Sequence, residues 1–323
     1  MLHTQFKSYP FWIILLLTYS SLLLPPSYAE MTQPEMTQPK LTRFIDKSIF
    51  LLAGQSNMAG RGGVINNNWD QIIPPPSCAN PTILRLDPKL HWHEAKEPLH
   101  RGIDINHTCG VGPGLAFANS ITNRVPRVGV VGLVPCAEGG TNISQWAKGG
   151  RLYGQLVRRA TASLRDGGSI QALVWYQGES DTLVKVDAER YQQRLEKLFL
   201  DIRTDLQSPM LPIIQVAIAS GEGPYIEEVR QAQMAVNLLN LKTIDAKGLA
   251  LEPDKLHLTT PAQVQLALKL ADAFLEFLPT QVQTTNPNNM LLQTNTANLH
   301  NLHLLGSSYT SLILFLIIYL YIH

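Results

Sequence analysis

Charge is scarce in this 323-residue chain: 16% of its residues are Asp, Glu, Lys or Arg, and the formal net charge is +1. That near balance gives no electrostatic footprint for nucleic acid. Cysteine is scarcer still. Cys78, Cys109 and Cys136 are too few for a disulfide scaffold and lack metal-ligand spacing. There is no Gly-Lys-Ser/Thr ending and no spaced glycine fingerprint, which argues against phosphate cradling and dinucleotide binding. Gly-x-Ser-x-Gly is missing too, so the nucleophile elbow of the α/β-hydrolases is not matched.

The longest apolar runs lie at the two ends. Phe11 to Leu24 follows the lone early cation Lys7 and precedes the small residues of Ser27-Tyr28-Ala29. It is short for a membrane span of about 20 residues and reads as a secretory signal peptide, residues 1–29, cleaved after Ala29. Residues 30–44 are polar, repeat Met-Thr-Gln-Pro at 31 and 36, and read as a disordered linker. One large α/β domain then fits residues 45–279. Residues 280–323 hold a Thr/Asn/Gln-rich tract and the apolar run Leu312 to Ile322. Small residues near Asn295-Thr296-Ala297, a polar spacer and a hydrophobic tail match the layout of a glycolipid-anchor signal. The expected location is therefore extracellular, at the cell wall or anchored to the outer face of the plasma membrane. Secretion permits a disulfide. Cys78 and Cys109 pair by their loop-like surroundings, other pairings staying open, and Cys136 is left as a buried thiol.

The chemistry starts at Gly54-Gln55-Ser56-Asn57-Met58-Ala59-Gly60-Arg61-Gly62-Gly63, which follows the β-leaning run Ser48 to Ala53. In open α/β sheets ligands bind outside the carboxyl ends of the strands, so Ser56 stands where a nucleophile would. Alone, the stretch reads equally well as a Gly/Ser/Asn turn. A serine needs a base, and Glu252-Pro253-Asp254-Lys255-Leu256-His257 supplies one just before a helix that Pro261 can start. The Asp254 carboxylate can hold one imidazole nitrogen of His257 while the other faces Ser56. Alone, this stretch reads as a helix N-terminus with an incidental acid and histidine.

Two further stretches lie between them: Pro135-Cys136-Ala137-Glu138-Gly139-Gly140-Thr141 and Trp175-Tyr176-Gln177-Gly178-Glu179-Ser180-Asp181. In this order the four blocks resemble the SGNH (GDSL-like) hydrolase superfamily. More specifically, they resemble the plant carbohydrate esterases of family six, related to the sialate O-acetylesterase domain. Gln-Gly-Glu-Ser-Asp replaces the Gly-x-Asn-Asp type of the third block, as in that esterase branch.

The resemblance implies a flavodoxin-like three-layer α/β/α sandwich with a parallel five-stranded sheet, order 2-1-3-4-5. It implies Ser56 as nucleophile, His257 as base then acid, and Asp254 as orienting carboxylate. It also implies an oxyanion hole from the N–H of Ser56, an N–H at Gly139 or Gly140, and the Gln177 amide in place of an Asn. Gln55, Asn57 and Arg61 are expected to hold the first loop or contact substrate, and Glu179 and Asp181 to tie neighbouring loops rather than form a glycosidase pair. Trp69, Trp92 and Trp146 are candidates for stacking on sugar or for anchoring loops. The implied substrate is an O-acetylated carbohydrate such as wall xylan, with no cofactor or metal. A general acyl-esterase and a catalytically idle lectin are the competing readings.

Periodicity places strands near 48–53, 82–86, 128–134, 172–176, 212–219 and 243–250. Helices are expected from 112 to 123, 152 to 164, 187 to 206, 225 to 239 and 261 to 277. Alternating strands and helices argue for a parallel sheet. Residues 64–82 read as an irregular surface loop. His91-Trp92-His93-Glu94 reads as a loop or hairpin. A zinc site is rejected there, because His91 and His93 alternate with Trp92 on opposite strand faces.

Overall fold

Runs that are apolar on both faces become strands covered by helices on both sides, and Ile49-Phe50-Leu51-Leu52-Ala53 is such a run, with every side chain buried. The computed structural model describes residues 46–278. The signal peptide, the linker and the C-terminal tail expected from the sequence lie outside the described residues.

The first strand, β1 (Lys47–Gly54), leads into a single helical turn, α1 (Ser56–Ala59). A small hairpin follows, β2 (Val64–Ile65) with β3 (Asn68–Trp69), inside the stretch expected to be irregular. Next come β4 (Ile83–Leu86), β5 (Trp92–Glu94), α2 (Pro113–Arg124), β6 (Val130–Pro135) and α3 (Arg151–Ser163). The chain continues through β7 (Ser169–Tyr176), α4 (Lys185–Asp205), β8 (Ile213–Ala217), α5 (Ile226–Ala235), β9 (Leu241–Asp245) and α6 (Thr260–Leu275).

The main sheet has seven strands in the order β5-β4-β6-β1-β7-β8-β9. All neighbours run parallel except β5, which turns back antiparallel on β4 at the edge. This corrects the expected count of five. It also moves the 83–86 segment, counted second from the sequence, away from β1: it pairs with the outer side of β6. The order 2-1-3-4-5 describes β6, β1, β7, β8 and β9 only when β4 and β5 are left out of the count.

Phe50 and Ala53 of β1 point to opposite faces, and Ala53 is in register with Trp175. On the Phe50 face, Phe50 meets Phe117 of α2 and Phe274 of α6 edge-on at 5.1 and 4.9 Å. On the other, Trp175 meets Trp146 at 5.0 Å and Phe199 of α4 at 6.0 Å, again edge to face. Such pairs add about 0.5–1.5 kcal/mol each beyond area burial. Trp146 is wholly buried, so it anchors the core and is not available to stack on a sugar. The two aromatic clusters hold both helical layers on β1 and β7, whose carboxyl ends lead into the loops at Gln55 and Gln177.

The expected Cys78–Cys109 disulfide is not formed; both thiols are free. Cys78 is exposed, and Asn119 of α2 donates to its carbonyl at 2.9 Å. Cys109 is buried, with the Arg61 guanidinium 3.7 Å from its sulfur. The two loop segments are fastened to different parts of the domain. Cys136 is buried as expected, and burial pushes its thiol up to about 11.

Candidate active site

The first loop leaves β1 through Gly54, whose φ of +130° is open to glycine but strained for other residues. A Cβ there would collide with the Tyr176 carbonyl, so the strand end and the turn can pack this closely only without a side chain. Gln55 N–H then donates to that carbonyl at 2.8 Å, and Ser56 begins α1.

Facing it is the loop between β9 and α6. Thr259 caps α6 by accepting from the Ala262 N–H at 3.3 Å, with Pro261 in the first turn. Glu252 N–H donates to the His257 carbonyl at 2.7 Å, and Thr259 N–H to the Ala250 carbonyl at 3.0 Å. These bonds close a tight loop that projects His257 toward Ser56. His257 Nε2 lies 2.9 Å from Ser56 Oγ, and Nδ1 lies 2.6 Å from Asp254 Oδ2. The other carboxylate oxygen of Asp254 accepts from the Leu256 and His257 N–H groups at 2.9 and 3.0 Å. Both Asp254 oxygens are thus fixed. Glu252 is turned elsewhere, accepting from the Gly63 N–H at 2.9 Å.

Burial disfavours the imidazolium and holds His257 below the ordinary imidazole value, against the raising effect of Asp254. Burial alone would raise Asp254, but the two N–H bonds and the imidazole hold it below its ordinary range. At neutral pH the pair is therefore a neutral imidazole beside a carboxylate, the state in which Nε2 can take a proton.

Residues 201 positions apart meet here, and Asn57 fastens the two segments. It accepts from the Leu258 N–H at 2.9 Å, donates to Glu179 Oε1 at 2.7 Å, and receives Gln263 Nε2 on its carbonyl at 3.1 Å. Gln55 does the same toward the third block, accepting from Gln177 Nε2 and the N–H groups of Gly178 and Ser180. Both residues, and Arg61, are buried. Of the two roles expected for them, they hold the loop.

Gln177 is placed differently from expectation. Its amide nitrogen donates to Gln55 Oε1 at 3.1 Å, the Thr141 carbonyl at 2.8 Å and Asp181 Oδ2 at 2.6 Å, and the side chain is wholly buried. An NH2 group has two hydrogens, so no donor is left to point at an oxyanion. Gln177 is a strut joining three loops. Asp181 completes the strut by accepting from the Ile143 N–H with both oxygens. Burial pushes both Glu179 and Asp181 up to about 7.

In the second block Gly139 and Gly140 separate. The Gly139 N–H donates to Asp104 Oδ2 at 3.2 Å. Gly140, at φ +65°, is exposed. Among the described residues, neither its N–H nor that of Ser56 meets a backbone or side-chain acceptor. Asp104 is a residue that sequence reasoning missed. Its buried carboxylate also pairs with Arg61 and accepts from His107 Nδ1 at 3.0 Å. Its loop carries no periodic pattern, and only the Asp-x-x-His spacing, the same as in Asp254–His257, could have marked it. A cleft of about 400 Å³ opens beside this group, lined by Trp69, Arg101, Ile105, His107 and Thr108 among others.

A family model described as "Carbohydrate esterase, sialic acid-specific acetylesterase" matches residues 46–276. The Arabidopsis thaliana protein named "Probable carbohydrate esterase At4g34215" is 55% identical over 234 residues, 70% of this chain and 90% of that protein. A crystal structure from the same Arabidopsis locus is similar at a TM-score of 0.70 and 53% identity, covering 72% of this chain and all of that one. The crystal structure of NanS is similar in fold, with a TM-score of 0.58 at 17% identity, over 72% of this chain and 98% of that one.

Proposed function

The chain belongs to the carbohydrate esterase, sialic acid-specific acetylesterase family, and from that premise we propose that it removes O-acetyl groups from carbohydrate by a Ser56–His257–Asp254 acyl-enzyme mechanism. The observation that carries the reading is the continuous relay, 2.9 Å from Ser56 Oγ to His257 Nε2 and 2.6 Å from Nδ1 to Asp254.

Ser56 Oγ attacks the acetyl carbonyl carbon while its proton passes to His257 Nε2. The carbonyl oxygen, now an oxyanion, accepts from the N–H groups of Ser56 and Gly140. The tetrahedral intermediate collapses as His257 returns the proton to the sugar oxygen, which leaves as a hydroxyl. Water, giving a proton to the same imidazole, then attacks the acyl carbon; the acyl–Oγ bond breaks, His257 returns the proton to Ser56 Oγ, and acetate leaves. Asp254 steadies the imidazolium in both halves and stays ionised. The cleft beside Asp104 receives the sugar, with Trp69 and Ile105 offering apolar surface and Arg101 and His107 offering donors.

Acetylated xylan is the substrate that the sequence resemblance implies. An extracellular site of action is supported by the apolar run from Phe11 to Leu24, and glycolipid attachment by the C-terminal layout. Acetate release across a panel of acetylated polysaccharides tests the activity. Wild type should release acetate, and Ser56→Ala should lose nearly all of it. A preference for long acyl chains among p-nitrophenyl esters would favour the general acyl-esterase instead. Absence of release by wild type from every acetylated glycan would favour a lectin.

A further inference from the structure

Three ligand-type side chains converge at the outer end of the same sheet edge, away from Ser56. Asp87 follows β4, and His91 and His93 come back with β5. The connecting turn is closed twice, by the Asp87 N–H to the His91 carbonyl at 2.9 Å and by the His91 N–H to Asp87 Oδ1 at 2.8 Å. Buried Arg159 holds its base by donating to the Asp87 carbonyl at 3.0 Å. Trp92 turns inward, where its ring lies against Gly132 and under Lys47. Strand alternation puts both flanking imidazoles on the opposite, solvent-facing side. Alternation therefore sets His91 and His93 together on one face and does not count against zinc, contrary to the expectation from sequence. The turn brings in Asp87 as a third donor.

One ligand atom from each of Asp87, His91 and His93 lies within 4.8 Å of the others. His93 Nε2 and Asp87 Oδ2 are 3.2 Å apart. Bonds of about 2.0–2.1 Å in a tetrahedral shell put neighbouring ligand atoms about 3.3 Å apart, so this pair already has the spacing of a zinc edge. His91 is exposed, and its ring would have to turn to close the remaining gap. The His91 N–H fixes Asp87 Oδ1, and Oδ2 stays turned toward His93. Two imidazoles with one carboxylate favour borderline cations over magnesium or calcium.

We propose that Asp87, His91 and His93 form a binding site for a divalent transition-metal cation of the zinc type, with water filling the open positions. The ion would clip edge strand β5 to the end of β4, the one antiparallel pair in the main sheet. It stands apart from the hydrolytic relay and does not depend on it.

The test is calorimetric titration of the protein with zinc chloride, in a Cys78→Ser background that removes the exposed thiol. The expected result is one saturable equivalent, with affinity falling by more than about tenfold in His91→Ala and in His93→Ala. Zinc should also raise the melting temperature of the parent, and the rise should disappear in both variants. Acetate release without added zinc should be the same in parent and variants. Matching melting temperatures without zinc exclude misfolding as the cause. If the parent takes up no zinc saturably, or the His91→Ala/His93→Ala double variant binds as well as the parent, Asp87 and His93 share a hydrogen bond only and the proposal falls.

Discussion

His257 is depressed by burial while Asp254 pulls it upward, and burial prevails. Only neutral imidazole can accept the Ser56 proton. Activity should therefore rise with pH through a midpoint below 6.5, the ordinary imidazole value. The acid limb of kcat/KM measures it, and a midpoint above 6.5 would contradict the geometry. Gln177 gives a second expectation at this scale. Truncation to Ala removes the amide donor of Asp181, Gln55 and the Thr141 carbonyl; the first two keep backbone N–H partners, so the cost is about 1–3 kcal/mol for the one carbonyl left unsatisfied. Denaturant unfolding of Gln177→Ala should show a loss of that order. Its kcat should fall only as far as the displaced loops allow, and a large loss of kcat with unchanged stability would restore the amide to the oxyanion hole. That Ser56, Asp254 and His257 meet was legible because the blocks that carry them resemble, in order, those of the SGNH superfamily; neither stretch alone pointed there. The position of the Gln177 amide was not, since a side chain's partners depend on which loops meet it in space.

The strands that carry the site were legible for the same reason that they are stable. Residues 47–54, 130–135 and 169–176 are apolar on both faces or nearly so, and that pattern admits few alternatives. The partnership of 83–86 was not legible, because chain order does not fix lateral order in a sheet. The hairpin at 64–69 is two residues per strand, too short for alternation to register. The loop carrying Asp104 drew no reading from the sequence, yet its carboxylate fixes Arg61, His107 and the Gly139 N–H together. Asp104→Ala would leave the buried Arg61 guanidinium unpaired, a change worth about 3–5 kcal/mol. Chemical denaturation should find that loss, and acetate release should fall with it because the Gly139–Gly140 turn is released. A variant as stable as wild type would mean that Arg61 finds another partner.

At the scale of the whole domain, two buried carboxyls tie stability to pH. Burial raises Glu179 and Asp181 from 4.5 and 3.8 to about 7, so the folded protein takes up protons that the unfolded chain does not. Their stabilisation is full below the unfolded values and is lost as pH rises through about 7. Glu179→Gln keeps an acceptor for Asn57 and removes one titration. Its melting temperature should gain on that of wild type between pH 5 and pH 8. A difference that stays constant across this range would show that Glu179 does not titrate there.

The separation of 201 positions between Ser56 and His257 bears on biosynthesis. Under the proposed mechanism, a ribosome that has made the first three blocks has produced the nucleophile and the loops around it, but no proton acceptor for it. The growing chain therefore cannot cleave an ester until α6 and its preceding loop have left the exit tunnel and docked on Asn57. Hydrolysis is a timestamp on that last docking step, and the first turnover of a newly made molecule reports that its domain has closed.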